Sequence, residues 1–141
     1  MLLVCPESNK NPLYRACSDL LVNIWQDAVT EISYQASLAE LGSSISISDK
    51  GFLLRVHGFD HKLLGLAKEI LSVLLSFVGR NSTDGLPATV KEGRFDACLE
   101  VLRRRYANSG MQASSLSTGI RLLCLRNTTW SIRSKVRYYY I

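Results

Sequence analysis

With 141 residues, 47% of them hydrophobic and 21% charged, and a formal net charge of +5, the chain can form one globular domain with its own core. This composition excludes a wholly disordered chain, and no apolar run reaches the roughly 18 residues that a membrane span needs. The four cysteines show neither the paired spacing of a zinc site nor the density of a disulfide scaffold, so we expect buried free thiols, a cytoplasmic location and no targeting signal.

The first elements are a short strand within residues 1–5 and a long helix. Asn11 can cap the free N–H groups of that helix, and Pro12 suits its first position. Apolar residues, Trp25 among them, then recur every three or four positions. This stripe predicts one core-packed helix of about eight turns that ends at Gly42 in the left-handed conformation.

Two segments with alternating apolar and polar residues follow, at 44–48 and 52–57. The intervening Asp49-Lys50-Gly51 has turn chemistry, with a glycine that can take positive φ, so the pair predicts an antiparallel hairpin. The predicted core face of the hairpin holds Ile45, Ile47, Phe52, Leu54 and Val56.

Three further helices are predicted after the hairpin. One spans about 61–78 after a cap at Asp60, and its apolar residues lie so far round the cylinder that we expect burial on more than one side. After a loop at 80–87, a helix is predicted over about 88–108, and another begins at Ser114 or Ser115. No element is predicted after Trp130. The fold class is α+β, with long helices packed on an antiparallel sheet.

The segment His57-Gly58-Phe59-Asp60-His61 reads H-x-x-D-H, close to the inverted zinc-protease motif H-x-x-E-H. Zinc catalysis would need both histidines one turn apart on a helix, a carboxylate base between them and a distant third ligand. The hairpin pattern instead places His57 on a strand and His61 at a helix start. We therefore interpret the segment as a capped strand-to-helix turn and predict no catalytic and no metal-binding residue.

Positive charge is concentrated at one end of the chain. Residues 1–100 contain 9 Lys and Arg against 12 Asp and Glu, whereas residues 101–141 contain 8 Lys and Arg and no acid. This asymmetry is typical of a small basic module that binds nucleic acid or an acidic partner, or of an interface whose acidic side lies elsewhere in a larger protein. Without a recognised binding motif, nucleic acid is the less favoured partner. The possible contact surface comprises Arg103, Arg104, Arg105 and Arg121.

Two groups of spaced residues carry a family resemblance. The first is Asp27-x-x-x-Glu31 with Tyr34-x-Ala36-x-Leu38-Ala39-x-Leu41, and the second is Gly51-x-x-Leu54-x-Val56-x-Gly58-Phe59-x-x-Lys62-Leu63. Over about residues 1–128 this pattern resembles the middle, or third, domain of the insulinase-type metallopeptidases. From Trp130 onward the chain does not continue the family pattern.

The resemblance implies an incomplete insulinase-type domain that lines the enclosed substrate chamber of a zinc metalloendopeptidase. It predicts a partial middle domain at 1–130 and a divergent basic and aromatic tail at 131–141. The family's zinc and catalytic residues belong to its first domain, so no cofactor is implied here and the chain by itself would be inactive. Its partners would be the remaining domains of such an enzyme, or peptide substrate. An exposed sheet edge and an unsheltered apolar helix face are expected.

Overall fold

The computed structural model describes residues 1–78 and 93–138, which form a three-stranded antiparallel sheet and six α-helices. The strands are β1 (Leu2–Val4), β2 (Gly42–Ser48) and β3 (Gly51–His57), in the order β1-β3-β2. A 3-10 turn (Pro6–Asn9) precedes the helices, which are α1 (Pro12–Ala28), α2 (Thr30–Leu38), α3 (Asp60–Val78), α4 (Arg94–Asn108), α5 (Ala113–Leu125) and α6 (Ile132–Val136). The predicted α+β class is confirmed. Among these helices, none combines the length and the apolar character that a bilayer crossing requires.

The hairpin forms as predicted. Ser48 pairs with Gly51 and Ile45 pairs with Leu54, so only two residues form the connection between β2 and β3. Gly51 has a φ of 141°, a conformation that side-chain-bearing residues rarely adopt. Ile45 and Leu54 are buried in the core, and Ile47 is half-buried.

The prediction of a single long helix is wrong in one respect, because the helical backbone is interrupted at Val29, between α1 and α2. Val29 has a φ of −96° and a ψ of 6°, and the hydroxyl of Thr30 donates to the carbonyl of Gln26 at 2.9 Å. Such bonding of a threonine back to the preceding turn bends helices. The apolar face nevertheless continues across the break, since Trp25, Val29 and Ala36 are buried in one cluster.

The end of α2 also differs from the prediction, because Glu40 and not Gly42 takes the left-handed conformation, with a φ of 58°. The N–H of Leu41 donates to the carbonyl of Ala36 at 3.0 Å, and the N–H of Glu40 donates to the carbonyl of Ser37 at 3.0 Å. These two bonds form a Schellman motif, which satisfies the last helical carbonyls two residues before Gly42.

The main core lies between the sheet and helices α1, α2 and α3. Its buried side chains are those of Trp25, Val29, Ala36, Leu41, Ile45, Leu54, Leu66 and Ile70. A second cluster forms where Ala16 of α1 packs against Leu102 of α4. α4 begins at Arg94 after Gly93, whose φ is 81°, and the predicted loop at 80–87 and helix start at 88 lie outside the described residues.

The C-terminal part is more ordered than predicted. α5 begins at Ala113 with no side-chain cap, slightly before the predicted serine caps. Past Trp130, where no element was predicted, the Ser131 hydroxyl accepts a hydrogen bond from the Ser134 N–H at 3.1 Å and caps α6. α6 packs on α1 and α4. The Trp130 indole N–H donates to the carbonyl of Asn9 at 3.0 Å and ties this end to the 3-10 turn.

All four cysteines are free thiols, as predicted. Their expected burial is wrong, because none of the four is fully buried. Cys5 and Cys98 are half-buried, but Cys17 and Cys124 are exposed.

Candidate functional site

The H-x-x-D-H segment forms the strand-to-helix turn that the sequence predicts. His57 is the last residue of β3, and His61 lies in the first turn of α3. Gly58, with a φ of 139°, separates the two elements. The imidazole of His57 lies across Gly42, its cross-strand partner, so closely that a Cβ atom on Gly42 would stand 2.3 Å from the ring. The two histidines therefore lie on different elements, and the side chain of Asp60 is outside the described part of the chain.

The donor groups among the described residues do not form a zinc centre. Within residues 1–78 and 93–138, no group of three His, Cys, Asp or Glu side chains is close enough to hold a metal ion. Zn²⁺ sites in proteins use three or four such ligands. No catalytic step through zinc can be derived from the described residues.

The predicted basic contact residues are divided between two helices. Arg103, Arg104 and Arg105 lie on α4, whereas Arg121 lies on α5, and α4 and α5 do not pack against each other. The Nε of Arg104 donates to Glu100 at 2.9 Å, and Arg103 is half-buried. A contact surface shared by these four residues stays a prediction.

Part of the basic C-terminal segment instead pairs with acids of the first hundred residues. The Nζ of Lys135 lies 3.3 Å from the Oδ2 of Asp19, and the Nη2 of Arg126 lies 3.7 Å from the Oδ2 of Asp49. Some of the charge asymmetry is therefore compensated inside the chain. The sequence gives no signal for these pairs, because their partners are far apart along the chain.

A cleft of about 340 Å³ lies between α1 and α4. The side chain of Arg94 holds Asp27 with two N–H groups, and its Nε donates to Asp27 Oδ2 at 2.9 Å. Burial, and then the Asp27 carboxylate, raise the pKa of the Cys98 thiol in this cleft above its ordinary value. A thiol with a raised pKa is a poor nucleophile at neutral pH. Cys98 is therefore not an activated nucleophile. The Asp27–Arg94 pair could not be predicted from the sequence, because the two residues belong to different helices.

Apolar faces of two helices remain open in the described part of the chain. On α3, Leu66 and Ile70 are buried but Leu64 and Leu75 are about two-thirds exposed. The expected burial of α3 on several sides is thus wrong for this chain, and the expected unsheltered helix face is confirmed.

α5 is more open still, because none of its residues is buried and it packs against no other described element. Leu116, Ile120 and Leu123 recur along one side of α5 and are between 39% and 54% exposed. Contiguous exposed apolar side chains of this kind mark surfaces that contact other protein.

Comparison with known proteins gives matches over most of the chain. The family model described as the middle or third domain of peptidase_M16 matches residues 1–138. The chain is 32% identical to nardilysin of Homo sapiens over 133 residues, covering 94% of this chain and 11% of that protein. It is 32% identical to a nardilysin-like protein of Arabidopsis thaliana over 111 residues, covering 77% of this chain and 10% of that protein.

A further relative is insulin-degrading enzyme-like 2 of Arabidopsis thaliana, with 29% identity over 127 residues, 89% of this chain and 12% of that protein. The chain thus spans about a tenth of the length of these relatives. The family match extends past residue 128 to residue 138, and the division into a partial domain at 1–130 and a tail at 131–141 stays a prediction.

Proposed function

Because the chain belongs to the M16 peptidase family, as its middle or third domain, we propose that it is a non-catalytic part of a zinc metalloendopeptidase that helps to enclose peptide substrate. The match of the middle-domain model to residues 1–138 carries this proposal. Zinc and the catalytic base belong, in this proposal, to another domain of the enzyme. The cytoplasmic location expected from the sequence remains a prediction.

The open faces of α3 and α5 support a role inside a larger protein. Leu116 and Ile120 on α5, with Leu64 and Leu75 on α3, expose apolar area that would cost free energy in water, at about 25 cal/mol per Å². A neighbouring domain that covers these side chains would recover that free energy. The remaining domains of the peptidase are the partners that this proposal names.

Metal content and peptidase activity of the purified chain test the non-catalytic role. We expect neither stoichiometric zinc nor peptide cleavage, and the same result for the His57→Ala/His61→Ala variant. Lys62→Ala, which changes an exposed neighbour of the two histidines, is the matched control. Zinc binding and hydrolysis that only the double variant loses would refute the proposal and identify a minimal protease.

A chimera tests the role in the whole enzyme. The chain replaces its matching segment in human nardilysin, and folding and peptidase activity of the chimera are measured. We expect activity to be retained and then reduced by Leu116→Asp/Ile120→Asp, which puts charge on the open face of α5. Ser117→Asp, at an exposed polar position on α5, should leave activity unchanged. Equal effects of these variants would argue against coverage of the apolar face.

A further inference from the structure

A polar cavity of about 170 Å³ lies where the 3-10 turn and the hairpin turn approach the segment that joins α5 to α6. Its lining includes three cationic side chains, those of Arg15, Arg126 and Lys135. Asp49 is the carboxylate that faces it, and Thr128 and Thr129 add hydroxyl groups. The cavity is distinct from the cleft between α1 and α4 and from the histidine turn.

Two of the cations share a single carboxylate. The Nζ of Lys135 lies 3.3 Å from Asp19 Oδ2, and the Nε of Arg15 lies 3.3 Å from Asp19 Oδ1. The hydroxyl of Tyr106 also donates to Asp19. The side chains of Lys135 and Arg15 are only 13% and 23% exposed, and burial lowers the pKa of Lys135 below its ordinary value. Because the side chains of Lys135 and Arg15 are largely buried, water screens their positive charges poorly.

The third cation, Arg126, has a carboxylate partner of its own. The Nη2 of Arg126 lies 3.7 Å from Asp49 Oδ2, which is longer than a hydrogen bond. Within the described part of the chain, Arg15, Arg126 and Lys135 thus face the carboxylates of Asp19 and Asp49, which leaves one positive charge in excess. Each of the three cations has a carboxylate within 3.7 Å, but the cations outnumber the carboxylates and two of them are largely buried, so an anion that enters the cavity would be stabilised.

Asn9 indicates which anion fits. Its side chain lines the cavity and is 7% exposed, and its Nδ2 donates to the carbonyl of Thr128 at 2.7 Å. Its Oδ1 is buried and has no hydrogen-bond partner among the residues that the structure describes. An occupant should therefore combine negative charge with a protonated oxygen that can donate to Oδ1. Phosphate at neutral pH has both, whereas sulfate and carboxylate have no proton to donate.

We propose that this cavity binds one inorganic phosphate ion. Arg15, Arg126 and Lys135 contact its oxygens, and Asn9 Oδ1 accepts a hydrogen bond from its protonated oxygen. Arginine matches phosphate because its planar fork can donate two parallel hydrogen bonds. The volume agrees, since about 30 Å³ per water-sized group leaves room in the cavity for roughly the five non-hydrogen atoms of phosphate. Binding would fasten α6 to α1, whether or not the proposed enzyme role holds.

Calorimetric titration of the full chain tests this site, with inorganic phosphate, glycerol phosphate and sulfate added at constant ionic strength. We expect one saturable site for inorganic phosphate and binding of sulfate at least tenfold weaker. Glycerol phosphate, a monoester that mostly lacks a protonated oxygen at neutral pH, should bind more weakly than inorganic phosphate, and equal affinity for it would contradict the role of Asn9 Oδ1. Absence of saturable phosphate binding, or equal affinity for sulfate, would overturn the proposal.

Two variants connect the binding to the cavity. Arg126→Gln removes a cation that is 55% exposed, so circular dichroism should show an intact fold while phosphate affinity falls at least tenfold. Lys135→Met provides a second loss variant at the more buried cation. Arg104→Gln, which removes an arginine that is 75% exposed on α4, is the matched control and should bind phosphate as the wild type does. Equal weakening by Arg126→Gln and Arg104→Gln would mean general charge attraction and would contradict a site.

Discussion

Replacing Gly51 by alanine should destabilise the chain more than any surface substitution. Gly51 begins β3, has a φ of 141° and lies beside β1. A Cβ atom there would stand 2.1 Å from the carbonyl oxygen of Leu3 and 2.6 Å from the backbone nitrogen of Cys5. Both contacts involve backbone atoms, which cannot rotate away as a side chain could. The variant must therefore either displace β1 or change the conformation of the hairpin turn.

The expected loss follows from two contributions. A side chain at this φ costs about 1–3 kcal/mol. Moving β1 away from Gly51 also breaks the hydrogen bond from the Cys5 N–H to the Lys50 carbonyl, which is 2.9 Å long. One such bond contributes about 1 kcal/mol. We therefore expect Gly51→Ala to lower the free energy of unfolding by about 3 kcal/mol and Tm by roughly 10 °C.

Urea unfolding followed by circular dichroism measures this change. The matched control is Gly65→Ala on α3, where an added Cβ would meet no atom within 4 Å. Alanine should stabilise that helix by about 0.5–1 kcal/mol. If Gly51→Ala stayed within about 0.5 kcal/mol of the wild type, the close approach of β1 to the hairpin turn would be refuted.

Two further predictions concern local strain and charge. Glu40→Gly should raise the free energy of unfolding, measured with urea, by about 0.5–1 kcal/mol, because Glu40 has a φ of 58° that glycine adopts freely. The control is Glu31→Gly in the first turn of α2, which should lower the free energy of unfolding because glycine destabilises a helix. Lys135→Met should change how stability depends on pH in a phosphate-free buffer. Burial holds the pKa of Lys135 in the folded chain below its ordinary value of 10.5. Between the pKa of the folded state and that of the unfolded state, the unfolded state binds more protons, so stability rises with pH in that interval. When Tm is measured from neutral pH to pH 10.5, the Lys135→Met variant should lack this rise in stability. The same dependence of Tm on pH in the variant and the wild type would contradict the burial of Lys135.

Periodicity in the sequence predicted the buried face of the first helices only in part. Trp25 and Ala36 of the predicted stripe are buried, but Leu13, Cys17 and Leu21 are exposed, and the backbone breaks between α1 and α2. The spacing of apolar residues indicates which side chains lie on the same face of a helix. A changed ψ at one residue does not alter that spacing, so the spacing cannot show the break. The bond from Thr30 to Gln26 that accompanies the break depends on a rotamer, which the period does not contain.

The arrangement of the C-terminal part could not be predicted for another reason. Lys135 meets Asp19, and Trp130 meets Asn9, across more than a hundred intervening residues. Arg15 reaches the same carboxylate from the preceding turn of α1. Local patterns carry no information on such contacts, so the basic segment could be described only as a charge imbalance. The pair of Lys135 and Asp19 depends on the packing of α6 against α1.

Four of the residues that carry the family resemblance are restricted by the fold. Gly51 and Gly58 both have φ near 140°, and a Cβ at Gly58 would stand 2.4 Å from the Leu41 side chain. Leu54 is 2% exposed in the middle of the sheet, and Leu41 closes the Schellman motif at the end of α2. Each position is restricted by backbone geometry or by packing, and their spacing follows from the two-residue hairpin turn. The fold therefore restricts the residues that can stand at these four positions, whereas exposed residues of the same pattern, such as Tyr34 and Phe59, are not restricted in this way.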